Sequence, residues 1–322
     1  MITLNQYDHY LVMFSGGKDS LACLLQLIKW GIPPDTIELW HHLVDGQSGN
    51  LFDWECTQDY CQKLASSFNI PIYYSWKEDG FEGELFRKDS PTRPVSFETP
   101  GGTFTMGGNG PLNTRLKFPQ LSANLRFRWC SAYLKIGVGR AAIANQDRFI
   151  GRKTLVITGE RAEESAARSR QQFLEPDNTD NRNGKNRYRW VDRCRLVLSW
   201  TEQEIWHIIK QFGVIPHPCY RLGYSRCSCK WCIFGSPDQL ATSYFLSPEQ
   251  GNTLIEIENQ LGWTIKPNID LATFIKQGKV FQAAYENPEI AYQSTQSIYT
   301  LPITTRNWTL PAGAFKRQSG PK

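Results

Sequence analysis

The sequence predicts an α/β protein built on a doubly wound parallel sheet, and three observations carry that prediction. Short apolar runs rich in β-branched and aromatic residues recur at 10–14, 36–44, 72–76 and 154–158, each of strand length. Longer stretches of helical period at 21–30, 54–68 and 133–145 separate them, so strand and helix alternate. Gly16-Gly17 follow the first apolar run directly and open the first helix. Alternation of this kind implies parallel strands covered by helices on both faces.

Each element has its own local reason. Tyr10-Leu11-Val12-Met13-Phe14 reads as a buried strand, and the helix after it stops at Gly31 ahead of Pro33-Pro34. The runs at 36–44 and 72–76 are the second and third strands, with the 54–68 helix between them. Residues from about 87 to 124 are rich in Gly, Pro, Thr and Asn, with Pro100-Gly101-Gly102 and Met106-Gly107-Gly108-Asn109-Gly110-Pro111, and show little periodicity. They are expected to be an inserted loop, either a lid over a substrate or a disordered segment. The alternation then resumes, and Thr201-Glu202-Gln203-Glu204 opens a further helix with a capping-box pattern. Beyond Pro237, short helices around 247–261 and 271–285 lead to an irregular tail. The expected division is a large α/β domain at 1–235 and a small helical accessory region at 236–322.

A chain of 322 residues, 40% hydrophobic and 21% charged, can bury one large core with an appendage. Met1 to His9 show no basic region followed by an apolar run, and no apolar run reaches membrane-spanning length. The expectation is a cytoplasmic protein without membrane contact. Nine cysteines would stay reduced there, so clustered ones are read as metal ligands or reactive thiols. The net charge of +5 is mild for a nucleic-acid binder and fits the handling of phosphates. The eleven tryptophans are assigned to packing.

Ser15-Gly16-Gly17-Lys18-Asp19-Ser20 has the composition of an anion cradle. Two glycines let the backbone turn tightly and aim its N–H groups at a phosphate, Lys18 adds charge, and the helix adds its positive end. Asp19 favours the helix dipole, and Ser20 can cap or donate. The spacing differs from the Gly-x-x-x-x-Gly-Lys-Ser/Thr loop, because the glycines directly precede the lysine. The hexapeptide resembles the pyrophosphate loop of the adenine nucleotide α-hydrolase superfamily, whose members typically bind ATP and cleave between its α and β phosphates.

Further stretches resemble the phosphoadenosine phosphosulfate (PAPS) reductase family. Thr158-Gly159-Glu160-Arg161-Ala162-Glu163-Glu164-Ser165 followed by Arg168 is similar to its Gly-x-Arg-x-x-Glu-Ser-x-x-Arg element. Trp200-Thr201, Ile215-Pro216-His217-Pro218 and Tyr220-Arg221-Leu222-Gly223-Tyr224 follow in the family's order. Asp45, with Phe52-Asp53-Trp54-Glu55-Cys56-Thr57 after it, is similar to the second-strand Asp and the Phe-Pro-Glu-Thr segment beside the nucleotide, although Trp54 stands in place of proline. The resemblance covers most of residues 9–235. It implies that Gly159, Arg161 and Arg168 join Ser15 to Ser20 and Asp45 around a nucleotide, with both arginines reaching phosphate or sulfate oxygens.

Cys227-Ser228-Cys229-Lys230-Trp231-Cys232 packs three thiols into six residues, preceded by Cys219, and Cys130 lies earlier in the chain. Cys-x-x-Cys spacing lets two thiolates share an ion or cluster, and nearby cations offset their charge. The iron–sulfur branch of the resembled family holds a [4Fe–4S] cluster by a Cys-Cys pair and a later Cys-x-x-Cys. Here Cys130 matches the first, Ser131 replaces the second, and Cys229 and Cys232 match the later pair. The fourth ligand would then be Cys219 or Cys227, or a species outside the chain, with tetrahedral zinc as the alternative metal. Cys23, Cys56, Cys61 and Cys194 are read as buried small hydrophobes.

The resembled reductases carry a nucleophilic cysteine in a terminal Glu-Cys-Gly-x-His motif, whereas no cysteine follows Cys232 in this sequence. Reduction therefore lacks its covalent step unless another thiol supplies it. The function expected is an ATP pyrophosphatase that adenylates an acceptor and lets sulfur displace AMP, similar in logic to the DNA-phosphorothioation sulfurtransferase branch. Lys18, Asp19 and Arg161 are its candidate catalytic residues, and Asp19 or Asp45 would help to hold Mg²⁺. Expected partners are an adenine nucleotide, a DNA or tRNA acceptor, and a sulfur donor such as a cysteine desulfurase. Asn181-Arg182-Asn183-Gly184-Lys185-Asn186-Arg187-Tyr188-Arg189-Trp190 interleaves cations with aromatics, as a nucleic-acid contact would, or is a solvated loop. The alternatives are a sulfonucleotide reductase using a thiol other than the terminal one, and a nucleotide-binding, metal-stapled subunit without catalysis.

Overall fold

The computed structural model describes residues 6–316 and has the expected α/β class. The elements run β1 (His9–Met13), α1 (Lys18–Lys29), β2 (Ile37–Leu43), α2 (Thr57–Ser67), β3 (Ile72–Lys77) and α3 (Gly80–Leu85). A hairpin follows, β4 (Val95–Thr99) and β5 (Gly102–Met106). The helical turn α4 (Trp129–Ser131) then continues through a π-helical stretch (Ala132–Ile136) into α5 (Gly137–Ala144). After these come β6 (Lys153–Thr158), β7 (Leu174–Pro176), β8 (Trp190–Arg195) and α6 (Glu202–Gln211).

The eight strands form one mixed sheet in the order β5-β4-β3-β2-β1-β6-β8-β7. Its five central strands, β3-β2-β1-β6-β8, are parallel, while the hairpin on one edge and β7 on the other are antiparallel. Alternation along the strands divides the two faces. Tyr10, Val12, Leu39, Leu155 and Ile157 pack against α1, α2 and α6, whereas Leu11, Trp40, Val156 and Val191 pack with Ala142 and Ile143 of α5. The Thr201 hydroxyl accepts the Glu204 N–H and Glu204 takes the Thr201 N–H, so the capping box that opens α6 is formed.

Two expectations are corrected. The 87–124 segment is not wholly irregular, because Val95-Ser96-Phe97-Glu98-Thr99 pairs with Gly102 to Met106 across the Pro100-Gly101 turn and extends the sheet. Gly102 has φ +118°, which its lack of a Cβ allows. Strands β7 and β8 were not expected, since charged residues interrupt both. Their charges find partners: Arg193 binds Asp177 at 2.6 Å and Arg195 binds Glu175 at 2.6 Å across the antiparallel pair.

Five helices follow the short α7 (Pro218–Arg221): α8 (Pro237–Leu246), α9 (Pro248–Leu261), α10 (Leu271–Lys276), α11 (Gln282–Glu286) and α12 (Pro288–Ser294). Leu240, Leu254, Ile265, Leu271 and Ile275 share one buried cluster with Phe52, Phe81, Trp129 and Trp231. The tail returns over the sheet domain, where Ile215 N–H donates to the Ile303 carbonyl at 2.8 Å and the Trp308 indole donates to Val214 at 2.8 Å. No helix among the described residues is long and apolar enough to cross a membrane.

Candidate functional site

Chain order reverses at β1: β2 and β3 lie on one side of it, β6 and β8 on the other. The carboxyl ends of β1 and β6 therefore flank the topological switch point, where open α/β sheets leave a crevice for ligands. The turn after β1 is the 15–20 loop, and the turn after β6 begins with Gly159 and Arg161. Gly16 has φ +75°, and Gly17 is the extended residue that caps α1. The Ser15 hydroxyl accepts the Gly17 N–H at 3.3 Å, and the Ser20 hydroxyl donates to the Gly17 carbonyl at 3.0 Å, so the loop is closed on itself.

Tyr220, 202 residues along the chain, braces the loop by accepting the Lys18 N–H at 2.9 Å and the Cys227 N–H at 3.1 Å. The Lys18 ammonium is buried and points to the rear. It donates to the Ser225 carbonyl at 2.9 Å and lies 3.8 Å from both Asp19 and Glu202. Asp19 in turn accepts Arg161 Nε at 2.6 Å, and Arg161 also binds Glu163. Burial works against the charge on Arg161, but Asp19 and Glu163 outweigh it and raise its pKa. Arg168 pairs with Glu164, which also takes Arg226 at 3.1 Å. The structure thus brings both arginines to the loop, each already paired with carboxylates.

Gly159 lies against the start of α1. A Cβ there would meet the Asp19 carbonyl carbon at 2.8 Å and the Ser20 nitrogen at 2.9 Å, so only glycine lets the β6 turn approach the loop this closely.

Asp45 ends the run out of β2. One carboxylate oxygen accepts the Phe52 and Asp53 N–H groups at 2.8 Å each, whereas buried Oδ1 has no hydrogen-bond partner among the described residues. Burial raises its pKa from the ordinary 3.8 to about 6, despite the lowering effect of those N–H groups. An orphaned, buried carboxylate oxygen is what a hard divalent cation would complete.

A cavity of about 320 Å³ opens beside Ser15, with His41, Asp53, Lys135, Cys227 and Cys229 on its wall; Asp45 lines a neighbouring cavity, and Lys18, Gly159, Arg161 and Arg168 line neither. His41 Nδ1 bonds the Phe14 carbonyl at 2.8 Å, and burial lowers its pKa, so it presents a neutral ring. Sequence reasoning passed over His41, Asp53, Tyr220 and Ser225 as site residues. A His pair at the end of a predicted strand was the available signal for the first; Asp53 and Tyr220 stood inside the resembling segments 52–57 and 220–224 without being singled out, and nothing local marks Ser225.

The thiols fall into two groups. Cys130, Cys229 and Cys232 gather around Lys135, whose Nζ lies 3.8 Å from Cys229 Sγ and whose pKa those thiols push upward. Burial raises the thiols Cys130 and Cys229. These three thiols stand beside a cation but do not form a mutual group of ligand atoms within 4.8 Å. Cys219 and Cys227 instead face His217, the three ligand atoms lying within 4.8 Å of one another. A hydrogen bond from Cys219, with His217 beside it, holds the Cys227 thiol well below the usual range. Cys227, one of the candidates for a fourth ligand beside Cys130, Cys229 and Cys232, faces the 15–20 loop while Cys229 faces Lys135. Cys23 and Cys194 are core residues as expected; Cys56 and Cys61 are equally buried but touch His217 and His41.

The basic 181–190 stretch joins β7 to β8, and its cations are largely spent within the chain. Arg182 pairs with Asp180 and Asp192 and stacks on Trp190, Arg187 pairs with Asp147, and Arg189 donates to the Thr179 carbonyl. This arrangement answers the solvated-loop alternative better than a nucleic-acid contact.

A parallel core of this strand order, with a glycine loop and a second glycine turn at the switch point, defines an α/β protein with a doubly wound central sheet and a candidate anion site at that point. Residues 116–234 are similar to the family described as phosphoadenosine phosphosulfate reductase domain. The chain is 31% identical over 134 residues to the "Uncharacterized 37.8 kDa protein in gpa 5'region" of Escherichia phage 186, a match covering 42% of this chain and 37% of that one. Among solved structures it is similar to PAPS reductase from Candida auris in a phosphate complex, with 14% identity, a TM-score of 0.38, and 70% of this chain and 84% of that one covered. It is also similar to FMN adenylyltransferase from Candida glabrata in complex with ATP, with 10% identity, a TM-score of 0.38, and 71% of this chain and 54% of that one covered.

Proposed function

We propose that this chain is an ATP pyrophosphatase-type adenylating enzyme whose activated acceptor is consumed by sulfur. The observation that carries the reading is the single cavity that runs from Ser15 of the phosphate loop to the Cys227 and Cys229 thiols. An acceptor oxygen would attack the α phosphorus of ATP as the bond to pyrophosphate breaks, and a sulfur nucleophile would then displace AMP. The positive end of α1 and the loop amides would take the departing pyrophosphate, with the Gly17 and Lys18 N–H groups exchanging the Ser15 and Tyr220 hydroxyls for phosphate oxygens. Lys18 would join them by exchanging its bond to the Ser225 carbonyl for a phosphate oxygen. Asp45 Oδ1, without a partner, suits Mg²⁺ better than Asp19, whose Oδ1 is held by Arg161. Arg161 serves as the clamp that fixes Asp19 beside the loop, and Arg168 with Glu164 backs it. Cys130, Cys229 and Cys232 would hold a [4Fe–4S] cluster, which when bound would carry or activate the sulfur, and Lys135 would balance its charge. A DNA or tRNA acceptor and a cysteine desulfurase as sulfur donor complete the proposal.

A sulfonucleotide reductase is the second reading. One observation favours it: the low-pKa Cys227 thiol stands on the cavity wall, 3.9 Å from the Ser15 carbonyl oxygen. Anaerobically purified protein incubated with ATP and Mg²⁺, alone and with DNA or tRNA, tests both. Pyrophosphate release is the expected result. Sulfite from a sulfonucleotide without pyrophosphate from ATP would replace the first reading with the second, and nucleotide binding without turnover in every arm would leave a non-catalytic subunit.

Gly159→Ala is expected to weaken ATP binding at least about tenfold and to lower the melting temperature as well, because its Cβ meets loop backbone and not a flexible side chain, so the β6 turn or the loop must shift. Titration of ATP into both proteins checks this; equal affinities would separate the β6 turn from the site.

A further inference from the structure

Directly behind Gly16 and Gly17 lies a group of soft ligands that the proposed reaction does not use. A Cβ at Gly16 would meet Cys61 Sγ at 3.1 Å and the His217 ring at 3.7 Å, and one at Gly17 would meet Cys227 Cβ at 3.3 Å. His217 and Cys219 are wholly buried, while Cys227 is half-buried and stands on the cavity wall. The His217 ring is held at both ends: Nδ1 takes the Cys219 N–H in a long bond of 3.3 Å, which a bound ion would replace at that nitrogen, and Nε2 lies 3.1 Å from Thr57 Oγ1, to which its N–H can donate.

We propose that His217, Cys219 and Cys227 form a second metal site, for a divalent ion of the zinc class, with three ligands from the chain and the fourth position open to the nucleotide cavity. Their ligand atoms lie within 4.8 Å of one another. Tetrahedral zinc, with bonds of about 2.0–2.3 Å, sets its ligands roughly 3.5–3.8 Å apart, so a closure of at most about 1 Å completes the geometry. Two thiolates and an imidazole are the donors such an ion selects over magnesium or calcium. Two thiolates also neutralise the dication, which an apolar enclosure requires. Cys56 approaches His217 Nε2 at 3.5 Å yet falls outside the mutual grouping, so the chain supplies three ligands. Three protein ligands and one open position are the pattern of reactive zinc sites, and the open side is the side of Cys227, facing Ser15. The site is separate from Cys130, Cys229 and Cys232, which face Lys135, and it stands whether or not the chain adenylates an acceptor.

Cobalt(II) titration of the full-length, metal-free protein under anaerobic conditions tests it. Wild type and the C130S/C229S/C232S variant are compared, with and without C227S, following thiolate-to-cobalt absorption. The triple variant is expected to bind about one equivalent with tetrahedral bands, and adding C227S to lower that affinity at least about tenfold. Cys227 is the deciding position because it is half-exposed, so circular dichroism and melting should stay near those of the parent. No cobalt bound by a folded triple variant, or a loss on adding C227S smaller than tenfold, overturns the site. Should the triple variant fail to fold, C227S alone decides: one cobalt equivalent lost from wild type supports the site, and unchanged stoichiometry and affinity overturn it.

Discussion

Lys230→Met should destabilise the protein by about 3 kcal/mol or more, the largest loss expected from any single substitution proposed for this chain. The Lys230 ammonium is fully buried and holds both Glu55 carboxylate oxygens at 2.6 Å and the Ser247 hydroxyl at 2.9 Å. Methionine matches the stem but leaves Glu55 with only the Gln250 amide as a side-chain donor, at 2.9 Å, in a site where its side chain is 10% exposed. An uncompensated buried charge costs more than the ion pair gains, so the penalty comes from the stranded carboxylate. Urea unfolding measures it, and Glu55→Gln on the Lys230→Met background should recover at least about 1 kcal/mol. A single variant within about 1 kcal/mol of wild type would show that Glu55 finds water. The consequence reaches the site, because Lys230 and Trp231 anchor the short segment between Cys229 and Cys232. Trp231 N–H donates to the Phe52 carbonyl at 3.1 Å, and its indole donates to Gln250.

Asp45→Asn should stabilise the protein at pH 7 by up to about 3 kcal/mol while weakening Mg²⁺-dependent nucleotide binding. The pKa of Asp45 is 3.8 ordinarily and about 6 in the folded chain, and burial is the chief cause. A folded pKa above the unfolded one means that the folded chain holds the proton more tightly. The contribution of Asp45 to stability is therefore full below pH 3.8 and is lost as pH rises through 6. Asparagine removes the charge, and its carbonyl oxygen can still accept the Phe52 and Asp53 N–H groups. Thermal melts from pH 4 to pH 8 should show the two proteins converging at the acid end and separating above pH 6. A variant less stable than wild type at pH 7 would mean that the carboxylate is solvated. A carboxylate retained against a stability cost of this size argues for a ligand that needs the charge.

The sequence showed the parts of the site that are local and hid those made by distant packing. A strand, two glycines and a helix are contiguous, so the 15–20 loop was readable, and Gly159 with Arg161 was readable because a β-branched strand ends just before them. The direction of the Lys18 side chain was not, because Ser225 and Glu202 set it from the far end of the chain. The pairing of Arg161 with Asp19 hid in the same way: each residue type suggested a ligand contact, and the two satisfy one another across the switch point. Cys227 and Cys229 are two residues apart and turn to different partners, so spacing alone merged two thiol groups into one. The edge hairpin was missed for a compositional reason. The period-2 alternation at 95–99 was present, but the Gly, Pro and Asn residues around it dominate the segment.

Tyr220 accepts from Lys18 and Cys227 through its hydroxyl, and its own carbonyl takes the Gly313 N–H at 2.8 Å. Three stretches of chain, none near another in sequence, thus meet on one residue, two at its hydroxyl and one at its backbone carbonyl. Contacts of such span form late in folding, because the intervening chain must be ordered before they repay the entropy of closing it. A nascent chain released before Tyr220 would display Ser15-Gly16-Gly17-Lys18-Asp19-Ser20 intact and have no wall behind it. The hexapeptide is written near the start of the chain, but the pocket is a product of its completion.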